Sequence, residues 1–225
     1  MRKINIAIDG PAGAGKSTVA KEVAKRLGYI YIDTGAMYRA LTLQALELGI
    51  EIDDEKALNE YLITHTIQLI NESGIQKVKI DGKDITKEIR TREVTQNVSL
   101  VSSHPLVRES MVEIQRELAK GNNVVMDGRD IGTNVLPNAE VKIFLTAAID
   151  ERAKRRYKEL IDGGIDADLN QIMTDIELRD KKDQERSVNP LKKADDAILL
   201  DTSRYNIEEV VQKILFFVNE KLKGE

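Results

Sequence analysis

The run Gly10-Pro11-Ala12-Gly13-Ala14-Gly15-Lys16-Ser17-Thr18 stands between two apolar segments. Ile4, Ile6, Ala7 and Ile8 precede it with a strand-like pattern, and Val19, Ala20, Val23, Ala24 and Leu27 follow at helical spacing. A strand, a glycine-rich turn and a helix in that order constitute a phosphate-binding loop. Glycine at 10, 13 and 15 lets the backbone curl until its N–H groups point inward at phosphate oxygens. The helix that starts near Lys16 directs its positive end at the same anion, while Lys16 reaches the β- and γ-phosphates and the Ser17 hydroxyl can ligate Mg²⁺. A nucleoside triphosphate is the expected ligand, held by Gly10 through Thr18. The loop alone leaves kinase, switch GTPase and mechanical ATPase open.

Composition narrows the partners. A chain of 225 residues with 41% apolar and 32% charged residues can build one sizeable core, so a single domain with insertions is the economical expectation. A formal charge of −4 and the absence of Trp give no basic footprint for a polynucleotide. Without cysteine there is no disulfide framework or thiolate metal site, and His65 and His104 alone cannot form a histidine-rich one. They read as structural or solvent-exposed. No segment approaches the roughly 20 apolar residues of a membrane span, and no cleavable apolar leader precedes the first strand. The expected location is the cytoplasm.

Along the chain, a second strand Tyr29–Ile32 leads to Asp33-Thr34-Gly35, and a helix over 36–48 stops at Gly49. From about 53 to 102 the rhythm changes. A helix opened by Asp53-Asp54 is expected to carry Leu58, Tyr61, Leu62 and Leu69, and the alternation across Asp81-Gly82 marks a hairpin over 78–85. A hairpin does not continue a parallel sheet, so about 62–95 reads as an insert. A helix runs from Pro105 to Lys120, and strands return at 124–127 and 141–145. Helices from about 150 and over 168–185, separated by Gly163-Gly164, precede a last strand at 197–200 and a helix over 206–222. The fold class is α/β, with five candidate strands in a parallel core sheet.

Asp33 and Asp127 end core strands, where ligands bind in open α/β sheets, and each could orient Mg²⁺, its water or a substrate. Asp33 also suits the N-cap of the helix that follows. Phosphoryl transfer needs cationic forks, and Arg39, Arg108, Arg129, Arg152, Arg155, Arg156, Arg179 and Arg186 lie at helix ends and loops. The spacing of Arg152, Arg155 and Arg156 places them on one helix face beside Gly163-Gly164, which suits a lid that closes on ATP. A basic face paired with Asp150, Glu151 and Glu159 is the plainer reading.

Four further blocks carry a resemblance. Asp33-Thr34-Gly35-Ala36-Met37-Tyr38-Arg39, Ile89-Arg90-Thr91-Arg92-Glu93-Val94, Asp127-Gly128-Arg129-Asp130-Ile131-Gly132-Thr133, and Arg179-Asp180 with Asp183 and Arg186 resemble bacterial cytidylate kinases over essentially the whole chain. The resemblance implies a P-loop nucleoside monophosphate kinase: a core of about 1–61, 96–150 and 190–225, a monophosphate-binding insert of about 62–95, and a helical lid of about 151–189. It implies MgATP as donor and CMP or dCMP as acceptor, with a monomeric enzyme. By the same resemblance Thr34, Arg39, Arg129 and Arg186 hold the acceptor phosphate, with Tyr38 in the same block. Ser99, Arg108 and Asp130 read cytosine, and Arg179 with Asp183 holds the sugar. Lys16, Arg129, Arg186 and Arg156 are the expected catalytic cations, and Arg152, Arg155 and Arg156 join the loop at ATP. Ser17 is the expected Mg²⁺ ligand, with Asp33 and Asp127 acting through water. Cytosine presents an N4 donor and N3/O2 acceptors, which the Asp130 carboxylate and the Arg108 guanidinium complement, whereas uracil mismatches both. Thr34 stands where the family often has Ser. A kinase for another small acceptor is the nearest alternative; a switch protein would carry an N-K-x-D segment, which this sequence lacks.

Overall fold

Short β-branched runs become strands and longer helix-periodic runs become helices. The structure is a computed structural model describing residues 3–72 and 75–223. In chain order it contains β1 (Asn5–Asp9), α1 (Lys16–Leu27), β2 (Ile30–Asp33), α2 (Thr34–Leu48), α3 (Glu55–Thr64), β3 (Ile67–Glu72), β4 (Ile75–Ile80) and β5 (Lys83–Asp84). Then follow α4 (Arg92–Val101), α5 (Pro105–Ala119), β6 (Val124–Gly128), β7 (Val141–Thr146), α6 (Ile149–Asp162), α7 (Leu169–Glu185), β8 (Ile198–Asp201) and α8 (Ile207–Lys223). The chain divides into two compact units, one of Met1–Ile30 with Asn122–Glu225 and one of Tyr31–Gly121.

The first unit is built around β1, whose Ile6, Ala7, Ile8 and Asp9 are all buried, as a strand covered on both faces requires. It pairs in parallel with β6, Ile8 opposite Asp127, and with β7, Ile8 opposite Ile143. Parallel pairing of β7 with β8 sets Ile143 opposite Ile198. The sheet has the five strands that the apolar runs led one to expect, in the order β2-β6-β1-β7-β8. Because β1 lies between two strands that come much later in the chain, a crevice opens at its carboxyl end. Helices α1 and α8 pack on each other; α1 buries Val19, Ala20, Val23 and Ala24, and α8 buries Val210, Val211, Ile214 and Val218. Helices α6 and α7 share a small apolar cluster of Ala153, Ile172 and Ile176, and Ala12 of the phosphate loop belongs to it.

The second unit holds α2 to α5 and an antiparallel sheet of order β3-β4-β5. The turn Asp81-Gly82 has φ of 48° and 84°, a conformation that glycine and aspartate tolerate and that tight hairpins need. One expectation is corrected here. Leu69 lies in β3, not in the helix opened by Asp53-Asp54, because α3 stops at Thr64 and His65 is extended, with φ −123° and ψ 150°. The pairing of Leu69 with Val78 adds a strand to the expected hairpin. Helix α4 is an element that the sequence reading did not identify; it buries Val94, Val98 and Val101, and Thr91 caps it. The ring of His65 stacks on Tyr61 at 3.9 Å, and His104 Nε2 lies 2.8 Å from the Ile52 carbonyl oxygen.

Candidate active site

The phosphate loop leaves the carboxyl end of β1 and ends where α1 begins, at Lys16. Gly10 has φ 147°, and a Cβ there would stand 2.0 Å from the Leu145 carbonyl oxygen, so only glycine lets the loop pass β7. Gly15 occupies the N-cap of α1, and no side chain caps that end among the described residues. The amides of the first turn thus belong to the loop's own concavity, the arrangement that binds phosphate.

Lys16 is buried and donates from Nζ to the Pro11 carbonyl at 2.8 Å. Burial pushes its ammonium down to about 7, and the Arg129 guanidinium adds to the effect while Asp127 opposes it. Ser17 Oγ donates to Asp127 Oδ2 at 2.9 Å, which joins the loop to the end of β6. A serine hydroxyl beside a carboxylate is a hard oxygen set that fits Mg²⁺. Among the described residues no three acidic or histidine side chains form a metal cage, so Ser17 and Asp127 would hold an ion here only together with ligands from phosphate or water.

Beyond β6 stands a row of paired charges. Arg129 Nε donates to Asp183 Oδ2 at 2.9 Å, and Nη1 donates to the Gly128 carbonyl at 3.3 Å. Burial works against the Arg129 charge, yet Asp183, Asp180 and Asp127 more than offset it and hold the guanidinium above its usual value. For Asp183, burial is likewise outweighed by Arg129, Arg179 and Arg186, which keep the carboxyl below its usual range. Arg186 donates from Nε to the Asn189 carbonyl at 2.6 Å and approaches Asp130 Oδ1 at 3.5 Å; Asp130 Oδ2 accepts from Asn134 at 3.1 Å. Asp127, Arg129, Asp130, Asp183 and Arg186 therefore form one network, with Arg179 acting electrostatically on both Lys16 and Asp183.

The three arginines of α6 share a helix face by their spacing but not a partner. Arg152 is buried against the phosphate loop, Arg155 donates to Thr202 Oγ1 at 3.0 Å and to its carbonyl at 2.7 Å, and Arg156 pairs with Glu159 at 3.0 Å on the surface. Spacing alone could not separate them, because the partners come from the phosphate loop, from Thr202 after the last strand, and from α6 itself.

The remaining candidates lie in the second unit. Asp33 caps α2, its Oδ1 accepting from the Ala36 N–H at 2.9 Å, so the plainer role of this carboxylate is realised. Thr34 and Tyr38 are buried in the first two turns of α2, and Arg39 folds back toward Asp33 over Gly35, where a Cβ would stand 3.1 Å from Arg39 Nη1. The Ser99 hydroxyl is buried in α4 without a hydrogen bond among the described residues. Arg108 is 1% exposed, donates to the Ser102 carbonyl at 3.0 Å, and its guanidinium carbon stands 5.6 Å from the centre of the Tyr38 ring.

Two carboxylates carry contacts for which the sequence assigned no role. Asp9, the last residue of β1, accepts from the N–H groups of Ile131 and Gly132 at 2.8 and 2.7 Å. Burial raises its pKa to about 6 despite those two bonds, and Asp130 adds to the rise. Asp180 accepts from the Ala12 N–H at 3.0 Å. Asp9 was detectable by the same argument as Asp33 and Asp127, since it too ends a core strand; Asp180 has no such local signal.

Residues 6–220 match the family model described as cytidylate kinase. The chain is 55% identical to a protein named cytidylate kinase from Halalkalibacterium halodurans, over 99% of this chain and 100% of that protein. It is 58% identical to one of the same name from Geobacillus sp. (strain WCH70), over 97% and 98% of the two chains. A crystal structure of an uncharacterized protein from Eubacterium ventriosum superposes with a TM-score of 0.54 at 14% identity, covering 96% of this chain and 99% of that one, and shares the fold.

Proposed function

From the premise that this chain belongs to the cytidylate kinase family, and so phosphorylates CMP or dCMP with ATP, we propose the roles by which its residues accomplish direct in-line transfer. Gly10 through Thr18 hold the ATP phosphates, with the loop amides and Lys16 placed where charge develops on the β–γ bridge. Arg129 and Arg186 hold the acceptor phosphate and neutralise the oxygens that spread charge in the transition state, with Arg156 joining them from α6. No covalent phospho-enzyme and no strong general base is needed, because the monophosphate is already ionised near neutral pH.

On the acceptor, Thr34, Tyr38 and Arg39 of α2 bind phosphate, Arg179 and Asp183 bind sugar, and Ser99, Arg108 and Asp130 read cytosine. Arg155 and Arg152 contribute on the ATP side. Mg²⁺ would be held by Ser17, with Asp127 and Asp33 acting through water; when bound it screens the β- and γ-phosphate oxygens. Residues 151–189 serve as the lid and about 62–95 as the monophosphate-binding insert. The enzyme works as a monomer in the cytoplasm.

The observation that carries this reading is the network at the carboxyl ends of β1 and β6. A buried lysine at the start of a glycine-capped helix stands within electrostatic range of Arg129 and Arg179, and all three cations are balanced by Asp9, Asp127 and Asp183. Such a cluster matches two polyanionic substrates better than one. The test is ADP formation with MgATP against CMP, dCMP, UMP, AMP and GMP, with no-acceptor and no-Mg²⁺ controls. Metal-dependent turnover confined to CMP and dCMP is the expected result. Turnover with another acceptor would keep the kinase and remove the Asp130/Arg108 reading, and silence with all five would remove the transfer.

A further inference from the structure

Arg152 begins the second turn of α6 and is nearly as buried as the core, at 7% exposure. Its Nε donates to the Ala147 carbonyl at 3.0 Å and its Nη1 to the Ala12 carbonyl at 2.9 Å. The same Nη1 forms an ion pair with Asp180 Oδ2, and Asp180, also 7% exposed, accepts the Ala12 N–H on Oδ1 at 3.0 Å. Two successive peptides of the phosphate loop are therefore gripped from outside. The Pro11–Ala12 peptide is held by Asp180 at its N–H and by Lys16 at its carbonyl; the Ala12–Gly13 peptide is held by Arg152 at its carbonyl. Packing tightens the grip. A Cβ on Gly13 would stand 3.1 Å from Arg152 Cβ and 3.2 Å from its carbonyl oxygen, and the Ala12 side chain sits with Ala153, Ile172 and Ile176.

We infer that Arg152 and Asp180 are a positioning pair that fixes the phosphate loop in its nucleotide-binding shape, so that α7 sets the donor loop and the acceptor-side cations from one rigid helix. Asp180 and Asp183 lie three residues apart on α7 and face the same way. One seats the loop at Ala12, and the other seats Arg129 at 2.9 Å. A single helix thereby fixes the distance between the group that cradles ATP and a group that meets the acceptor, which is what in-line transfer requires. The charges of the pair cancel locally, so its contribution is geometric rather than electrostatic, and with Nε and Nη1 committed to Ala147, Ala12 and Asp180 the guanidinium keeps only Nη2 and cannot offer a two-nitrogen fork to a phosphate. This inference rests on the kinase reading above, and it changes the part Arg152 plays there from ATP ligand to support of the loop.

The experiment uses the full chain with Asp180→Asn, Arg152→Met, the double variant, and Arg152→Lys. MgADP affinity is measured by calorimetry alongside kcat and the KM for ATP and CMP. Asp180→Asn and Arg152→Met should each weaken MgADP and lower kcat by about tenfold or more while the KM for CMP stays within about threefold. The double variant should be no worse than the poorer single by more than about twofold, because both act on one unit. Arg152→Lys keeps the charge without the planar fork and should recover part of the loss; it also carries the test if Arg152→Met does not fold. MgADP affinity and kcat within twofold of the parent would overturn the inference, as would a KM for CMP that rises as much as MgADP weakens. A parent chain that binds MgADP yet ignores CMP would refute the kinase reading, while the calorimetric comparison would still decide the clamp.

Discussion

Lys16 makes the sharpest quantitative demand on this site. A lysine with a pKa of about 7 before nucleotide binds is half neutral at that pH. The phosphates need the ammonium form, and two anionic groups against Nζ must restore its affinity for the proton, so binding takes up a proton wherever the unliganded lysine has lost one. Affinity should therefore fall as pH rises through 7. With a liganded pKa above the range examined, the apparent Kd scales as one plus the ratio of neutral to charged lysine. That factor grows about tenfold from pH 6 to pH 8, or about 1.4 kcal/mol. At pH 7, binding should take up about half a proton.

The assay is calorimetry of MgADP binding in buffers of different ionisation enthalpy, which yields affinity and proton uptake together. Lys16→Met supplies the background, since it retains the nucleotide's own titration and every other group of the site. The parent should lose about ten times more affinity than Lys16→Met across the interval, and the variant should show no uptake that traces to position 16. Parallel curves for the two proteins would mean that Lys16 stays charged throughout. The argument that burial and Arg129 outweigh Asp127 and Asp9 would then be refuted.

The pKa of Asp9 is shifted upward, where that of Lys16 is shifted downward. Its folded pKa of about 6 lies above the ordinary 3.8, so the stability it contributes is fully present below about 4 and is lost as pH rises through 6. Relative to Asp9→Asn, the parent's unfolding free energy should fall by about 2.4 kcal/mol between pH 4 and pH 7 in urea titrations, and a constant difference would refute the assignment. Gly10→Ala should cost more than about 2 kcal/mol in thermal unfolding, because the new Cβ would overlap the Leu145 carbonyl at 2.0 Å; an unchanged melting temperature would mean the loop can move off β7. Asp130→Ala should erode the preference for CMP over UMP by about tenfold or more in kcat/KM, while a preserved ratio would remove Asp130 from base reading.

Local sequence revealed those parts of the molecule whose physics is local. The turn from Gly10 to Gly15 is forced by glycines with positive φ between a buried strand and a capless helix, so loop, Lys16 and Ser17 could be placed from spacing alone. Strands at 124–128, 141–146 and 198–201 were legible because buried parallel strands are short apolar runs. Helix α4 was less so. Its three buried residues are valines, poor helix formers, and their spacing of four and three only reads as a helix once the Thr91 cap is recognised. Leu69 was drawn into the preceding helix by its spacing from Leu58 and Leu62, when the deciding fact was pairing with Val78 across the hairpin.

The site divides along the same line. Side chains that belong to a motif could be singled out in advance, whereas the contacts of side chains that meet backbone far away in sequence could not. Asp180 lies 168 residues from the amide that it accepts, and Asp9 lies 122 and 123 residues from its two. Asp9 is marked only as the end of a core strand, and nothing local distinguishes Asp180 from a solvated carboxylate. The arginines of α6 show the converse error. Helical spacing groups Arg152, Arg155 and Arg156, but what a guanidinium does depends on the nearest unsatisfied carbonyl or carboxylate. Those acceptors come from the phosphate loop for Arg152, from the segment after β8 for Arg155, and from its own helix for Arg156. A basic triplet in a kinase of this kind is thus three separate problems in hydrogen-bond geometry. Arg156, whose partner is an exposed surface glutamate, can exchange its present bond for a phosphate at little cost.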